Sequence, residues 1–172
     1  ALQLDQLRWI PAGQPWQKLQ KTRAISAAVH REAMVRAAID GEPRFVLDRI
    51  ELERSGPSYT LDTVRALRAQ QPQAQLFLVI GADQYAGLHT WHGWHELLGA
   101  VTLAVANRPG RPDARPPIDP QVLRFAHRVV PLPMLDISAT DIRARVVNGW
   151  PIDELVPKAV AGYIESNHLY KD

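Results

Sequence analysis

Leu76-Phe77-Leu78-Val79-Ile80-Gly81-Ala82-Asp83 is the stretch on which the fold turns. Five apolar residues in a row lack the alternation of a half-exposed antiparallel strand. They predict a strand buried on both faces, as in a parallel sheet. Val101–Ala106 is a second run of this kind. Working outward, Leu7–Ile10 and Arg128–Leu132 read as strands, and Phe45–Leu47 with Ile50–Leu52 as one strand or two short ones. Helical patterns fall between and after them, over Ser26–Asp40, Thr60–Gln70, Ser138–Asn148 and Pro157–Asn167. Ser26 is expected to cap the first of these. Val29, Met34, Val35, Ala38 and Ile39 are expected to supply its apolar face, with Gly41 following. Gly149 is placed to stop the Ser138 helix. Strands alternating with helices predict an α/β fold with a mainly parallel sheet.

Composition limits the partners. The 172 residues amount to one domain, 1–172, and no internal linker divides them. Lys and Arg total 20 against 18 Asp and Glu, a net charge of +2, and no regular basic and aromatic interleaving suggests nucleic acid. No apolar run approaches the roughly 18–20 residues of a membrane helix, and the opening ALQLDQLRWIP has no signal-peptide pattern. Cysteine is absent, which excludes disulfides and thiol chemistry and fits a reducing cytoplasm. The expectation is a cytoplasmic protein, monomer or homodimer, that acts on small molecules.

In parallel sheets ligands sit beyond the carboxyl ends of the strands, so the segments that follow the predicted strands carry the chemistry. After Ile80, Gly81 lets a ligand approach the backbone, and Asp83 can accept from a sugar hydroxyl or cap the next helix. The segment from Leu88 to Leu97 holds Trp91, Trp94, His89, His92 and His95. Its Trp91 can stack on a flat ring or simply pack, and His92 with His95 has metal-ligand spacing but no third ligand at a suggestive distance. After the last strand comes Ile137-Ser138-Ala139-Thr140-Asp141-Ile142-Arg143. A helix start here offers free N–H groups, two hydroxyls and a guanidinium to an anion such as a triphosphate. The alternative is an ordinary capped helix with a solvated Arg143. Gly13–Lys18 brings a Lys and a Trp after the first strand, Ser55–Thr60 adds hydroxyls, and Arg108 follows Val101–Ala106. Asn107–Pro120 holds five prolines and three arginines, a long surface loop. Walker, G-x-G-x-x-G and Ser-His-Asp patterns are absent.

Taken in order, WIPAGQPWQK at 9–18, ELERSGPSYTLDTV at 51–64, FLVIGADQYAGLHTWHGWHEL at 77–97, VANRPG at 105–110 and ISATDIR at 137–143 resemble the bacterial nicotinate mononucleotide adenylyltransferases. The resemblance implies a Rossmann-like nucleotidyltransferase fold, a mainly parallel sheet with helices on both faces. It implies transfer of AMP from ATP to nicotinate mononucleotide, with Mg²⁺ accompanying ATP and no metal held by protein side chains. Nicotinamide mononucleotide or phosphopantetheine as acceptor, or nucleotide binding without catalysis, are the alternatives. By resemblance Ile80, Gly81 and Asp83 meet the adenosine, and Ser138, Thr140 and Arg143 hold the ATP phosphates. Thr60, Trp91 and the backbone near His92 hold the nicotinate ring and its carboxylate. Arg108 lies near the mononucleotide, and Lys18 reaches phosphate from the other side, supporting catalysis with Arg143. Two departures stand out. The H-x-G-H motif, whose histidines face the transferred phosphate, is not in the sequence, and His92-Gly93-Trp94-His95 does not replace it. The motif and the strand before it are therefore expected upstream of Ala1. The second departure is Ala139, where a second Ser is common.

Overall fold

In the computed structural model, residues 2–15, 26–107, 117–133 and 137–171 are described. In chain order the first elements are β1 (Leu7–Trp9), α1 (Ala28–Ile39), β2 (Phe45–Leu47), α2 (Thr60–Gln70), β3 (Phe77–Gly81) and α3 (Ala82–Ala86). A 3₁₀ turn at Leu88–Thr90 leads into α4 (Trp94–Ala100) and β4 (Thr102–Asn107), and another at Val122–Arg124 into β5 (His127–Pro131). Helices α5 (Ala139–Val147) and α6 (Lys158–Ser166) follow. Contacts group these elements into two units, one of residues 1–2 and 59–135, the other of residues 3–58 and 136–172.

In the unit formed by 59–135, the three strands run parallel in the order β3-β4-β5. Leu78 aligns with Leu103 and His127, and Ile80 with Val105 and Val129. Alternation along β3 and β4 turns Leu78, Ile80, Leu103 and Val105 to one face, where they pack with Tyr85, Leu88 and Leu98. A neighbouring cluster joins Leu61 and Val64 of α2 to Leu97 of α4. The aligned register ends the strands side by side, with Gly81 beside Ala106 and Asn107 beside Pro131. That is the edge at which the sequence places its ligand segments.

In the other unit, β1 and β2 pair in parallel, Leu7 beside Phe45 and Trp9 beside Leu47. Its core joins Val146 of α5 to Ile152, Val160, Ala161 and Ile164, with Met34 and Ala37 of α1 packed against them.

The helix over Thr60–Gln70 and the parallel strands match the sequence expectation. Three local readings change. Ile50–Leu52 is not a strand but part of a turn. The Asp48 carboxylate accepts the Ile50 N–H at 3.0 Å and the Arg8 guanidinium at 2.8 Å, which ends β2 in a side-chain-closed turn. Ser26 does not cap α1: the cap position is Ala27, with no side-chain hydrogen bond, and the Ser26 hydroxyl donates to Tyr170 Oη at 3.1 Å. Val29, expected on the apolar face of α1, is 64% exposed, and Ala38 is also exposed.

Candidate functional site

The first turn of α2 and the Trp91–Gly93 segment meet through three successive contacts. The Tyr59 and His92 rings stack with centroids 4.4 Å apart and planes 26° from parallel. Trp91 packs against the Leu61 cluster and also against the cluster that contains Ile80. Gly93 adopts φ +60°, and a Cβ built there would overlap the Leu61 side chain, which is only 2% exposed. Glycine is required here by both conformation and contact. Tyr59 occupies the cap position of α2 and makes no side-chain cap hydrogen bond, and the first turn of that helix begins directly beside the ring stack. Thr60, Trp91 and His92, predicted from sequence as one subsite, are thus brought together. Tyr59 and Gly93, which do the bringing, were not singled out. The signal for Gly93 was legible as a glycine between two bulky residues; the ring stack had none.

Ile80 is buried in the sheet core, while Gly81, the last residue of β3, and Asp83 just beyond it are exposed. Gly81 is the cap residue of α3, and a Cβ there would meet nothing within 4 Å, so a ligand's approach is open. Asp83 does not cap: it lies inside the first turn of α3, where its negative charge suits the positive helix end. Tyr85, two residues on, is buried, and its hydroxyl lies 3.3 Å from His127 Nδ1. Burial pushes the Tyr85 hydroxyl pKa above its ordinary value. This contact ties α3 to β5.

The start of α5 belongs to the other unit. Ser138 is its cap residue: Ser138 Oγ accepts the Asp141 N–H at 3.1 Å, and its O–H donates to the Asp141 carboxylate. The pair is a reciprocal cap, in which Asp141 is a partner that the sequence left unassigned. Arg143 Nη2 donates to Thr140 Oγ1 at 3.4 Å, and Arg143 Nε is buried with no hydrogen-bond partner among the described residues. A buried guanidinium N–H without an acceptor costs the full desolvation of that group unless a ligand supplies one.

Lys18 and Arg108 lie outside the described residues. The chain before Lys18 is held at its start. Ser58 N–H donates to Gln14 O at 2.9 Å, Gln14 N–H donates to Ser58 Oγ at 3.1 Å, and Arg31 donates to the Ala12 and Gly13 carbonyls. Among the described residues no group of three or more His, Asp or Glu converges as a metal site, and no helix is long and apolar enough to cross a membrane.

The cytidylyltransferase-like family matches residues 1–145. A probable nicotinate-nucleotide adenylyltransferase of Methylibium petroleiphilum is 49% identical over 98% of this chain and 80% of its own length. One of Streptomyces coelicolor is 43% identical over 98% and 87%. Among solved structures, the Plasmodium falciparum nicotinic acid mononucleotide adenylyltransferase, complexed with NaAD, superposes with a TM-score of 0.72 at 16% identity, covering 97% of this chain and 83% of that one. At that identity the likeness is one of fold, and it supports the Rossmann-like nucleotidyltransferase architecture.

Proposed function

The chain belongs to the nicotinate-nucleotide adenylyltransferases, within the cytidylyltransferase-like family, and from that premise we infer its reaction and the work of its residues. It transfers AMP from ATP to nicotinate mononucleotide. A phosphate oxygen of the mononucleotide attacks the α-phosphorus of ATP in line. A new P–O–P linkage forms, the bond from Pα to the bridging oxygen breaks, and pyrophosphate leaves with that electron pair. The product is nicotinate adenine dinucleotide. Such a transfer is accelerated by positioning and by stabilising the phosphoryl charge, without a covalent enzyme intermediate.

The observation that carries the phosphate assignment is Arg143, whose buried Nε has no acceptor among the described residues. A triphosphate oxygen at the α5 start supplies one, and the N–H groups of Ala139 and Thr140 add the helix-end donors that anions favour. The Ser138 hydroxyl, engaged with Asp141, shapes this helix end. Gly81 and Asp83 serve the adenosine, the glycine by leaving the backbone approachable and the carboxylate by accepting from a ribose hydroxyl. Thr60, Trp91 and the His92 backbone hold the nicotinate group. Lys18 and Arg108 complete the reading as cations for the phosphates and the mononucleotide. Mg²⁺ enters as part of the MgATP substrate, carried by phosphate oxygens. A cytoplasmic setting belongs to the same reading, supported by a composition without cysteine.

The test is to incubate the full-length protein with ATP, Mg²⁺ and nicotinate mononucleotide and to follow pyrophosphate release, with nicotinamide mononucleotide and phosphopantetheine as parallel acceptors. Release that is fastest with nicotinate mononucleotide is expected. A preference for phosphopantetheine would overturn the acceptor assignment.

A further inference from the structure

We propose that the Tyr59–His92 ring stack is the specificity-determining contact of the acceptor subsite, Tyr59 acting as a positioning residue that sets the N–H donors facing the pyridine substituent. The inference rests on the acceptor reading of Thr60 and the His92 backbone. Those two donors come from segments distant in sequence. Among the described contacts that register one segment against the other, three lie at the segments themselves: the stack, the packing of Trp91 with the Leu61 cluster, and the seat of Gly93 on Leu61; the Arg65–Glu96 pair ties the two helices further along. Two of the three are apolar and lie on the interior side. The stack is different: His92 is exposed and Tyr59 part-buried, so it lies at the surface rim where a ligand enters. Aromatic pairs prefer defined offset-stacked or edge-to-face geometries, whereas aliphatic burial is non-directional. A rim contact of that kind fixes the separation of the backbone N–H groups beside it.

That separation decides between acid and amide. A carboxylate offers acceptors on both oxygens, so two converging N–H donors satisfy it. A carboxamide turns an NH₂ toward one of those donors, leaving two donors opposed. The discrimination requires both donors to be in place at once. If the stack is lost, the Trp91–Gly93 segment is free to shift by a fraction of an ångström, and the penalty on the amide relaxes along with the grip on the acid.

The experiment compares Tyr59→Ala, Tyr59→Phe, His92→Ala and the Tyr59→Ala/His92→Ala double variant of the full-length enzyme. Each is assayed with nicotinate and nicotinamide mononucleotides at saturating ATP, and separately for the KM of ATP. Tyr59→Ala is expected to raise the KM for nicotinate mononucleotide and to lower the acid-over-amide preference by about threefold to tenfold, with the KM for ATP unchanged. Tyr59→Phe keeps the ring and the preference. His92→Ala, a change at an exposed position, reproduces the effect if Tyr59→Ala folds poorly, and the double variant is no worse than either single. An unchanged preference in both single alanine variants, an equal rise in the KM for ATP, or additive losses in the double variant would overturn the proposal. Thr60→Pro, which removes the backbone N–H at a first helical position where proline is tolerated, separates the two claims. If it is impaired toward nicotinate mononucleotide while both alanine variants keep the preference, only the stack is refuted. If Thr60→Pro is itself unaffected, the acceptor reading fails.

Discussion

A methyl group on Gly93 has no room. The residue sits at φ +60°, and its Cβ would enter the space of Leu61, a side chain with no exposed surface into which to retreat. The conformational penalty is roughly 1–2 kcal/mol and the overpacking about 1–3 kcal/mol. Gly93→Ala is therefore expected to lower unfolding free energy by about 2–5 kcal/mol, read from urea denaturation. Gly99, inside α4, is the control: nothing lies within 4 Å of its would-be Cβ and its φ is not positive. Gly99→Ala should gain roughly 0.5–1 kcal/mol, the usual advantage of alanine over glycine in a helix. Equal effects at both positions would mean that the Leu61 contact is unimportant. At Arg143 the consequence is kinetic. Arg143→Ala should raise the KM for ATP and lower kcat, a loss on the order of 1.5–3 kcal/mol for a charge-assisted hydrogen bond. An unchanged ATP dependence would mean that the guanidinium does not meet the triphosphate.

At the scale of the element, two helix contacts set expectations. The Ser138–Asp141 pair closes the start of α5. Ser138→Ala should cost about 0.5–2 kcal/mol of stability, restored by Ser138→Asn, which also caps. Thermal unfolding of the three proteins checks this. Helices α2 and α4 are tied by Arg65, whose guanidinium donates to both oxygens of Glu96 at 2.8 and 2.6 Å. The hydrogen bond from Arg65 holds the Glu96 carboxyl below the usual range, and the Arg65 pKa rises in return. A carboxylate with a depressed folded pKa adds stability above its unfolded pKa. That stability is lost as pH falls through the folded value. Tm should therefore fall on acidification below the ordinary Glu range, near about 4, and Glu96→Gln should flatten part of that slope. Both groups are exposed, so added salt should weaken the effect. A slope identical in the variant and the parent would remove Glu96 from the account.

At the scale of the whole molecule, substrate binding should register as stability. A ligand that binds only the folded state at a hundred times its Kd adds about 2.7 kcal/mol. ATP and nicotinate mononucleotide should each raise Tm, with phosphopantetheine without effect. A shift with phosphopantetheine alone would contradict the function. The order of the elements and the parallel sheet were legible in the residues, because apolar runs such as 76–80 and the helical pattern of 60–70 are local signals that each segment carries by itself. The five ordered motifs placed Thr60, Trp91, Gly81, Asp83, Ser138, Thr140 and Arg143 for the same reason. Local signals also misled. Ser26 has a capping side chain, yet Tyr170 takes its hydroxyl. Ile50–Leu52 is apolar at both ends, yet Asp48 turns the chain. By itself, then, the sequence determined the fold class and the family, and it singled out the segments proposed to meet substrate. The tertiary structure alone decided which partners those segments choose: His92 for Tyr59, Leu61 for Gly93, and, among the described residues, no acceptor for Arg143 Nε. The physical reason is that a stack, a steric fit and an unmet hydrogen bond depend on distances between residues far apart in the chain, and no local pattern encodes those distances.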